Sequence, residues 1–173
     1  MTPASPNRGC NPVRAFVALG ANLGDPVTAV ETALAALDTL PDTRVVARSC
    51  LYRTAPIGVG KQPDFINAVA ALDTTLPARA LLDRLLGLET RHGRTRDYHR
   101  APRTLDLDLL LYGDATVSEP GLEIPHPRMH LRAFVLAPLA EIDADVTIPG
   151  RGVVAQLLAG VLDQGIERLH RPT

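Results

Sequence analysis

Apolar residues along this chain fall into short blocks, and the spacing within the blocks switches between that of strands and that of helices. Arg14 to Gly20 (RAFVALG) is dense in β-formers and predicts a buried strand. Asn22 to Pro26 interrupts it, where Asp25-Pro26 offers an N-cap followed by a first-turn proline. Val27, Val30, Leu34, Leu37 and Leu40 then recur at helical spacing until Pro41 closes the segment. Arg44 to Arg53 predicts one strand, with Val45, Ala47 and Ser49 opposite Val46, Arg48 and Cys50. Another is expected over about Asp64 to Thr74. The connection between them, Thr54 to Pro63, is too long for a tight hairpin, and its glycines suit a functional loop. Pro77 opens a second helix, carried by Leu81, Leu82, Leu85 and Glu89 and ended by Gly93. A strand over Thr104 to Tyr112 completes the series.

The order β-α-β-β-α-β predicts an α+β fold with a ferredoxin-like core, two helices lying on one face of an antiparallel sheet. From Asp114 onward, further strand-like pieces are expected at Gly121 to Pro125 and Asp145 to Ile148. Helical stretches follow the same pattern near Arg132 to Ala140 and Val153 to Leu162. No repeat or linker divides the chain, so residues 13–173 are expected to form one domain after a polar leader at 1–12.

Composition narrows the function classes. With 173 residues, 46% hydrophobic and 21% charged, the chain is large enough to bury a core without staples. No apolar run reaches the roughly 18 residues of a membrane span, and Met1 to Asn11 lacks a secretory apolar core. Cys10 and Cys50 match no metal or disulfide spacing and read as reduced thiols, as in a cytoplasmic protein. A net charge of −1 gives no general pull toward nucleic acid or membrane. The absence of Trp and the scarcity of Tyr and Phe also leave no stacking platform for single strands.

Local charge is more telling. In Arg103-Thr-Leu-Asp-Leu-Asp-Leu-Leu-Leu-Tyr112, alternation puts Asp106 and Asp108 on one strand face and Leu105, Leu107 and Leu109 on the other. Their Cα atoms should stand about 6.5–7 Å apart, two strand rises. A solvated polar face is the plainer reading, but aspartate is depleted in strands, and two acids so placed repel unless a cation intervenes. Mg²⁺ takes one or two carboxylates together with waters and phosphate oxygens. Just upstream lie Arg91, Arg94, Arg96, Arg100 and Arg103, with His92 and His99, against Asp97 alone. Their planar guanidinium forks suit phosphate oxygens, and beside paired acids they would complete a polyphosphate clamp. No Walker-type Gly-x-x-x-x-Gly-Lys-Ser/Thr is present, so a nucleotide would not be held by a P-loop. Asn67 interrupts an apolar strand and needs partners, either local backbone or the edge of a heterocycle. His126 is flanked by Pro125 and Pro127, and Arg132 and Phe134 stand near a helix start.

These blocks occur in one order: Phe16-Val-Ala-Leu-Gly-Ala-Asn-Leu-Gly24, Tyr52-Arg-Thr-Ala-Pro-Ile-Gly58 and Gln62-Pro-Asp-Phe-Ile-Asn-Ala68, followed by Glu89 with Gly93-Arg94 and Arg96. Pro102-Arg-Thr-Leu-Asp-Leu-Asp-Leu-Leu-Leu-Tyr112, Ile124-Pro-His-Pro-Arg-Met129 and Arg132-Ala-Phe134 complete them. Together they resemble the 6-hydroxymethyl-7,8-dihydropterin pyrophosphokinase family. The resemblance implies a monomer that uses ATP and two Mg²⁺ ions to pass the β,γ-diphosphate to the pterin hydroxymethyl, releasing AMP. By the same resemblance Asp106 and Asp108 match metal ligands, and Arg94 and Arg103 match catalytic-loop arginines. Glu89, Arg94, Arg96, His126 and Arg132 match nucleotide contacts; Thr54, Ile57, Phe65, Asn67 and Phe134 match the pterin pocket. Where some members carry Trp-Gly, this sequence has Arg100-Ala101, and its loop from Gly93 to Arg103 is one residue shorter. No dedicated general base is visible, Asp108 being the nearest candidate. A Mg²⁺-dependent nucleotide hydrolase or a ferredoxin-like ligand-binding module are the rival readings.

Overall fold

The computed structural model describes residues 11–56, 61–92 and 105–172. Its centre is β1 (Val13–Ala21), whose alternation feeds two apolar layers rather than one. Ala15, Val17, Leu19 and Ala21 face the first layer, and Phe16 faces the second. The helix α1 (Pro26–Leu37) starts as expected: the Asp25 carboxylate accepts the Thr28 amide at 3.1 Å, with Pro26 in the first turn. It buries Val30, Ala33, Leu34 and Leu37 in the first layer.

The strand expected from Arg44 to Arg53 is two strands, β2 (Thr43–Arg48) and β3 (Tyr52–Thr54). Ser49 causes the break. Its amide donates to Val69 O at 2.9 Å, while its hydroxyl accepts from Val69 N at 2.9 Å and donates to Cys50 O. A side chain thus takes a place that a strand carbonyl would fill. Beyond it the Cys50 amide turns to the Glu141 carboxylate, and Leu51 exchanges backbone bonds with Leu169 and His170. β4 (Phe65–Thr74) and α2 (Ala78–Arg91) follow, the helix burying Leu81, Leu85, Leu88 and Glu89. Next come β5 (Asp106–Tyr112) and a hairpin of β6 (Val117–Glu119) and β7 (Leu122–Ile124). A short 3₁₀ turn (Met129–Leu131) leads into α3 (Ala133–Asp143). The small ribbon β8 (Thr147–Ile148) and β9 (Gly152–Val153), then α4 (Val154–Ala159) and β10 (Ile166–Arg168), complete the described chain.

The main sheet runs β10-β3-β4-β1-β5, with β2 also paired to β4, and every pairing is antiparallel. α1 and α2 lie on one face. α3 lies on the other, covering Phe16, Val69, Ala71, Leu110 and Leu111. It covers only that half. At the opposite end the same face carries Ala18, Gly20, Asn67, Asp106 and Asp108, and a cavity opens there. Cys50 is a buried free thiol, whereas Cys10 and the leader up to residue 10 lie outside the described residues. Among the described residues no helix is long and apolar enough to cross a membrane.

Candidate active site

Strand register builds the site. Gly20 stands between Asn67 on one neighbour and Asp106 on the other, and Ala18 between Val69 and Asp108. Gly20 and Ala18, with little or no side chain, therefore stand beside the two acids, and the sheet is hollow here. A Cβ on Gly20 would come 3.1 Å from Asn67 Oδ1, so glycine lets the amide approach the strand. The Asn67 Nδ2 donates to Thr54 Oγ1 at 2.9 Å, both groups being buried. The partner that Asn67 requires is thus a neighbouring strand's hydroxyl and not local backbone.

The cavity over this floor measures about 610 Å³. It gathers Thr54, Phe65 and Asn67 from β3 and β4, Asp106 and Asp108 from β5, and Arg132 and Phe134 from the start of α3. The Arg132 guanidinium lies 5.4 Å from the Phe134 ring centroid, within cation–π range. Burial and the charge of Arg128 make Arg132 easier to deprotonate than a free arginine, while Asp108 acts against them.

A second cleft of about 340 Å³ lies on the other side of the same acids. Asp106 and Asp108 line both spaces, and Glu89, Glu119, Glu123 and His126 line the second. Glu89 is buried at the end of α2, and its Oε1 accepts the Leu107 amide at 2.8 Å. It thereby fixes the backbone between the two aspartates. The His126 amide donates to Leu110 O at 2.9 Å, tying the Pro-His-Pro segment to β5. Its ring Nδ1 accepts the Arg128 amide at 3.2 Å, so a neutral imidazole carries its proton on Nε2. Burial, then the charges of Arg132 and Arg128, hold the His126 pKa below its ordinary value. Near neutral pH this residue offers a ligand an N–H donor rather than a cation.

Of the residues singled out in the sequence, Thr54, Phe65, Asn67, Asp106, Asp108, Arg132 and Phe134 meet in the larger cavity. Glu89 and His126 meet the same acids in the smaller cleft. Ile57, Arg94, Arg96 and Arg103 lie outside the described residues. Glu119 and Glu123 of the second cleft were missed, as were two polar residues lining the larger cavity. Arg128 stands two positions after His126 in the Pro-His-Pro-Arg block and was open to notice; Gln164, 30 or more residues from every other polar lining group, carried no local signal. Among the described residues no group of three His, Cys, Asp or Glu forms a metal cluster. The hard-oxygen pair fits a Mg²⁺ ion that takes its remaining ligands from water and phosphate.

Two clefts that meet at one pair of acids leave room for two ligands about a shared cation, as a two-substrate group-transfer enzyme requires. More particularly, the chain belongs to the 7,8-dihydro-6-hydroxymethylpterin-pyrophosphokinase (HPPK) family, whose model matches residues 16–144. It is 48% identical over 156 residues to the 2-amino-4-hydroxy-6-hydroxymethyldihydropteridine pyrophosphokinase of Pseudomonas aeruginosa, spanning 90% of this chain and 96% of that one. The Haemophilus influenzae protein of the same name is 40% identical over 158 residues, 91% of this chain and 99% of that one. Among solved structures, an HPPK-DHPS in complex with substrates superposes with a TM-score of 0.73 at 12% identity, over 89% of this chain. Plasmodium falciparum HPPK-DHPS A437G gives 0.70 at 15% identity, over 91% of this chain. At those identities the likeness is one of fold. The chain spans 44% and 47% of the lengths of these two solved chains.

Proposed function

We propose that this chain transfers the diphosphate of ATP to the hydroxymethyl group of 6-hydroxymethyl-7,8-dihydropterin, releasing AMP, in folate biosynthesis. The observation that carries the reading is the position of Asp106 and Asp108, side by side where the larger cavity and the second cleft meet. Full-length relatives at 40–48% identity support the same activity.

The larger cavity takes the pterin. Its aromatic rings, Phe65 and Phe134, are suited to a flat heterocycle, and the Asn67 amide, oriented by Thr54, presents donor and acceptor groups to the ring edge. Ile57 is assigned to the same pocket by its place in the motif. The smaller cleft takes the nucleotide, where Glu89 and His126 line the wall and Arg132 approaches from the pterin side. Arg94, Arg96 and Arg103 are assigned to the phosphates on the family pattern. Asp106 and Asp108 would hold Mg²⁺, two ions being the family expectation. When bound, the metal supplies charge neutralisation on the phosphates and a lowered pKa at the attacking hydroxyl. The chain's own contribution is alignment: the Glu89 bond to Leu107 fixes the strand that carries both acids, so that a hydroxyl and a β-phosphorus bound on either side of it would meet there. The neutral His126 donates an N–H without adding charge.

The sheet order supports a ferredoxin-like reading of the core, with the segment after Tyr112 as an addition that supplies α3 and the edge strand. A single cytoplasmic monomeric domain over residues 13–173 after a leader at 1–12 is the accompanying proposal.

Incubation with Mg²⁺ and ATP, with and without the pterin, tests the activity. AMP is expected only when pterin is present. Pterin-independent breakdown would instead support a nucleotide hydrolase, and no consumption a binding module. Replacing both Asp106 and Asp108 by Ala is expected to bring AMP formation to background with the fold intact; retained turnover would reject the metal site.

A further inference from the structure

A helix start leaves backbone N–H groups open, and a side-chain cap usually takes one of them. Arg132 sits at the N-cap of α3 and supplies no such bond, its backbone being extended at φ −119°, ψ 113°. The Arg132 carbonyl accepts from Val135 and Leu136 at 3.1 and 3.0 Å, but the groups on either side of Arg132 look outward. Both are taken by one distant side chain. Gln164 Oε1 accepts the Ala133 amide at 3.0 Å, and its Nε2 donates to Leu131 O at 2.8 Å. The same glutamine lines the larger cavity.

We infer that Gln164 is a positioning residue for the reaction: its amide brackets the backbone of Arg132 and so holds Arg132 and Phe134 at their places opposite Asp106 and Asp108. The connection continues to the other wall of the cavity. Two residues on, Ile166 of β10 stands opposite Thr54 in the sheet, and Thr54 is the hydroxyl that accepts from Asn67. One short segment thus sets the helix wall through Gln164 and supports the strand wall through Ile166. Without the bracket, α3 keeps its apolar packing, but its first residues lose the two bonds that fix their direction. A shift of about 1 Å at such a site is enough to cost up to about 100-fold. This role rests on the diphosphotransfer reading for its consequence in turnover, but not for its consequence in binding.

Gln164→Met removes both bonds at nearly constant volume. Equilibrium titration of the full chain with Mg²⁺ plus a non-hydrolysable ATP analogue, and with the pterin, is expected to show both Kd values raised about tenfold. In an Arg132→Ala background the same substitution should weaken the nucleotide by less than about twofold, since residues acting as one unit are not additive. A purely structural role would lower Tm and leave both Kd values unchanged, which overturns the inference; so does a tenfold nucleotide loss that persists in the Arg132→Ala background. Gln164→Glu keeps an acceptor for the Ala133 amide and removes only the donor to Leu131. Should the methionine variant not fold, it carries the test: a loss of about threefold is expected, and full affinity overturns the bracketing role. If the unsubstituted chain binds both ligands yet forms no AMP, the activity reading fails while the Kd values still decide the role of Gln164. If it binds neither ligand, both fall.

Discussion

Gly20 governs how closely Asn67 can lie against the central strand. Because a Cβ there would sit 3.1 Å from the Asn67 oxygen, Gly20→Ala must push the amide aside by a few tenths of an ångström. The expected outcome is a pterin KM raised about tenfold with kcat changed far less and with Tm nearly unchanged, measured by AMP release. Unaltered KM would mean that the Asn67 amide does not read the ring. At this scale the sequence was partly legible. The Leu-Asp alternation put Asp106 and Asp108 on one face, and the register agrees, because side-chain period in a strand is a local property. The Asn67 partner was not legible. Thr54 is 13 positions away, and only pairing of β3 with β4 brings it near.

Glu141 shows how one side chain can join elements. Standing on α3, it accepts from the Cys50 amide at 3.0 and 3.1 Å and from the Tyr52 hydroxyl at 2.7 Å, and Arg168 of β10 reaches it at 3.3 Å. Burial pushes its carboxyl up, but the bonds from Cys50 and Tyr52 and the charge of Arg168 together outweigh this and hold the pKa below the ordinary value. Burial and the Glu141 carboxylate push the Tyr52 hydroxyl in the opposite direction, so it stays a donor. A carboxyl with a depressed folded pKa lends stability above its unfolded pKa and loses it as pH falls through the folded one. Glu141→Gln is therefore expected to cost about 1.5 kcal/mol at neutral pH, lowering Tm by roughly 4 °C. The gap should narrow in acid, below the usual carboxylate range, when Tm is followed by circular dichroism. A constant gap across pH would place the loss in packing rather than charge. Apart from β3, the elements up to Tyr112 were readable because each carries its own period or cap. β3 and β10, with three residues apiece, are too short to show a period, and both are defined by partners far along the chain. The break at Ser49 was hidden for a similar reason, since the Val69 backbone that its hydroxyl bonds is 20 positions away.

On the scale of the whole molecule, two layers share one sheet, and one of them is unfinished. The first is closed by α1 and α2, and the second by α3 over half its length. The two clefts then follow from where cover stops. Their common wall, Asp106 and Asp108, is the end of the central sheet nearest Gly20. Motifs spread from Phe16 to Phe134 converge here because β1, β4 and β5 are adjacent in the sheet. Order along the chain brought out Thr54, Phe65, Asn67, Asp106, Asp108, Arg132 and Phe134, which share the larger cavity; the division into a larger space and a smaller one did not follow from order, since it depends on which face α3 occupies.

The bare half of that second face has a thermodynamic signature. A flat guest lying between Phe65 and Phe134 would remove apolar surface from water in the way that a missing piece of interior does. Isothermal calorimetry at a series of temperatures should then yield a negative heat-capacity change, with association growing more exothermic on warming. An enthalpy independent of temperature would mean that the guest rests outside, wetted on both sides.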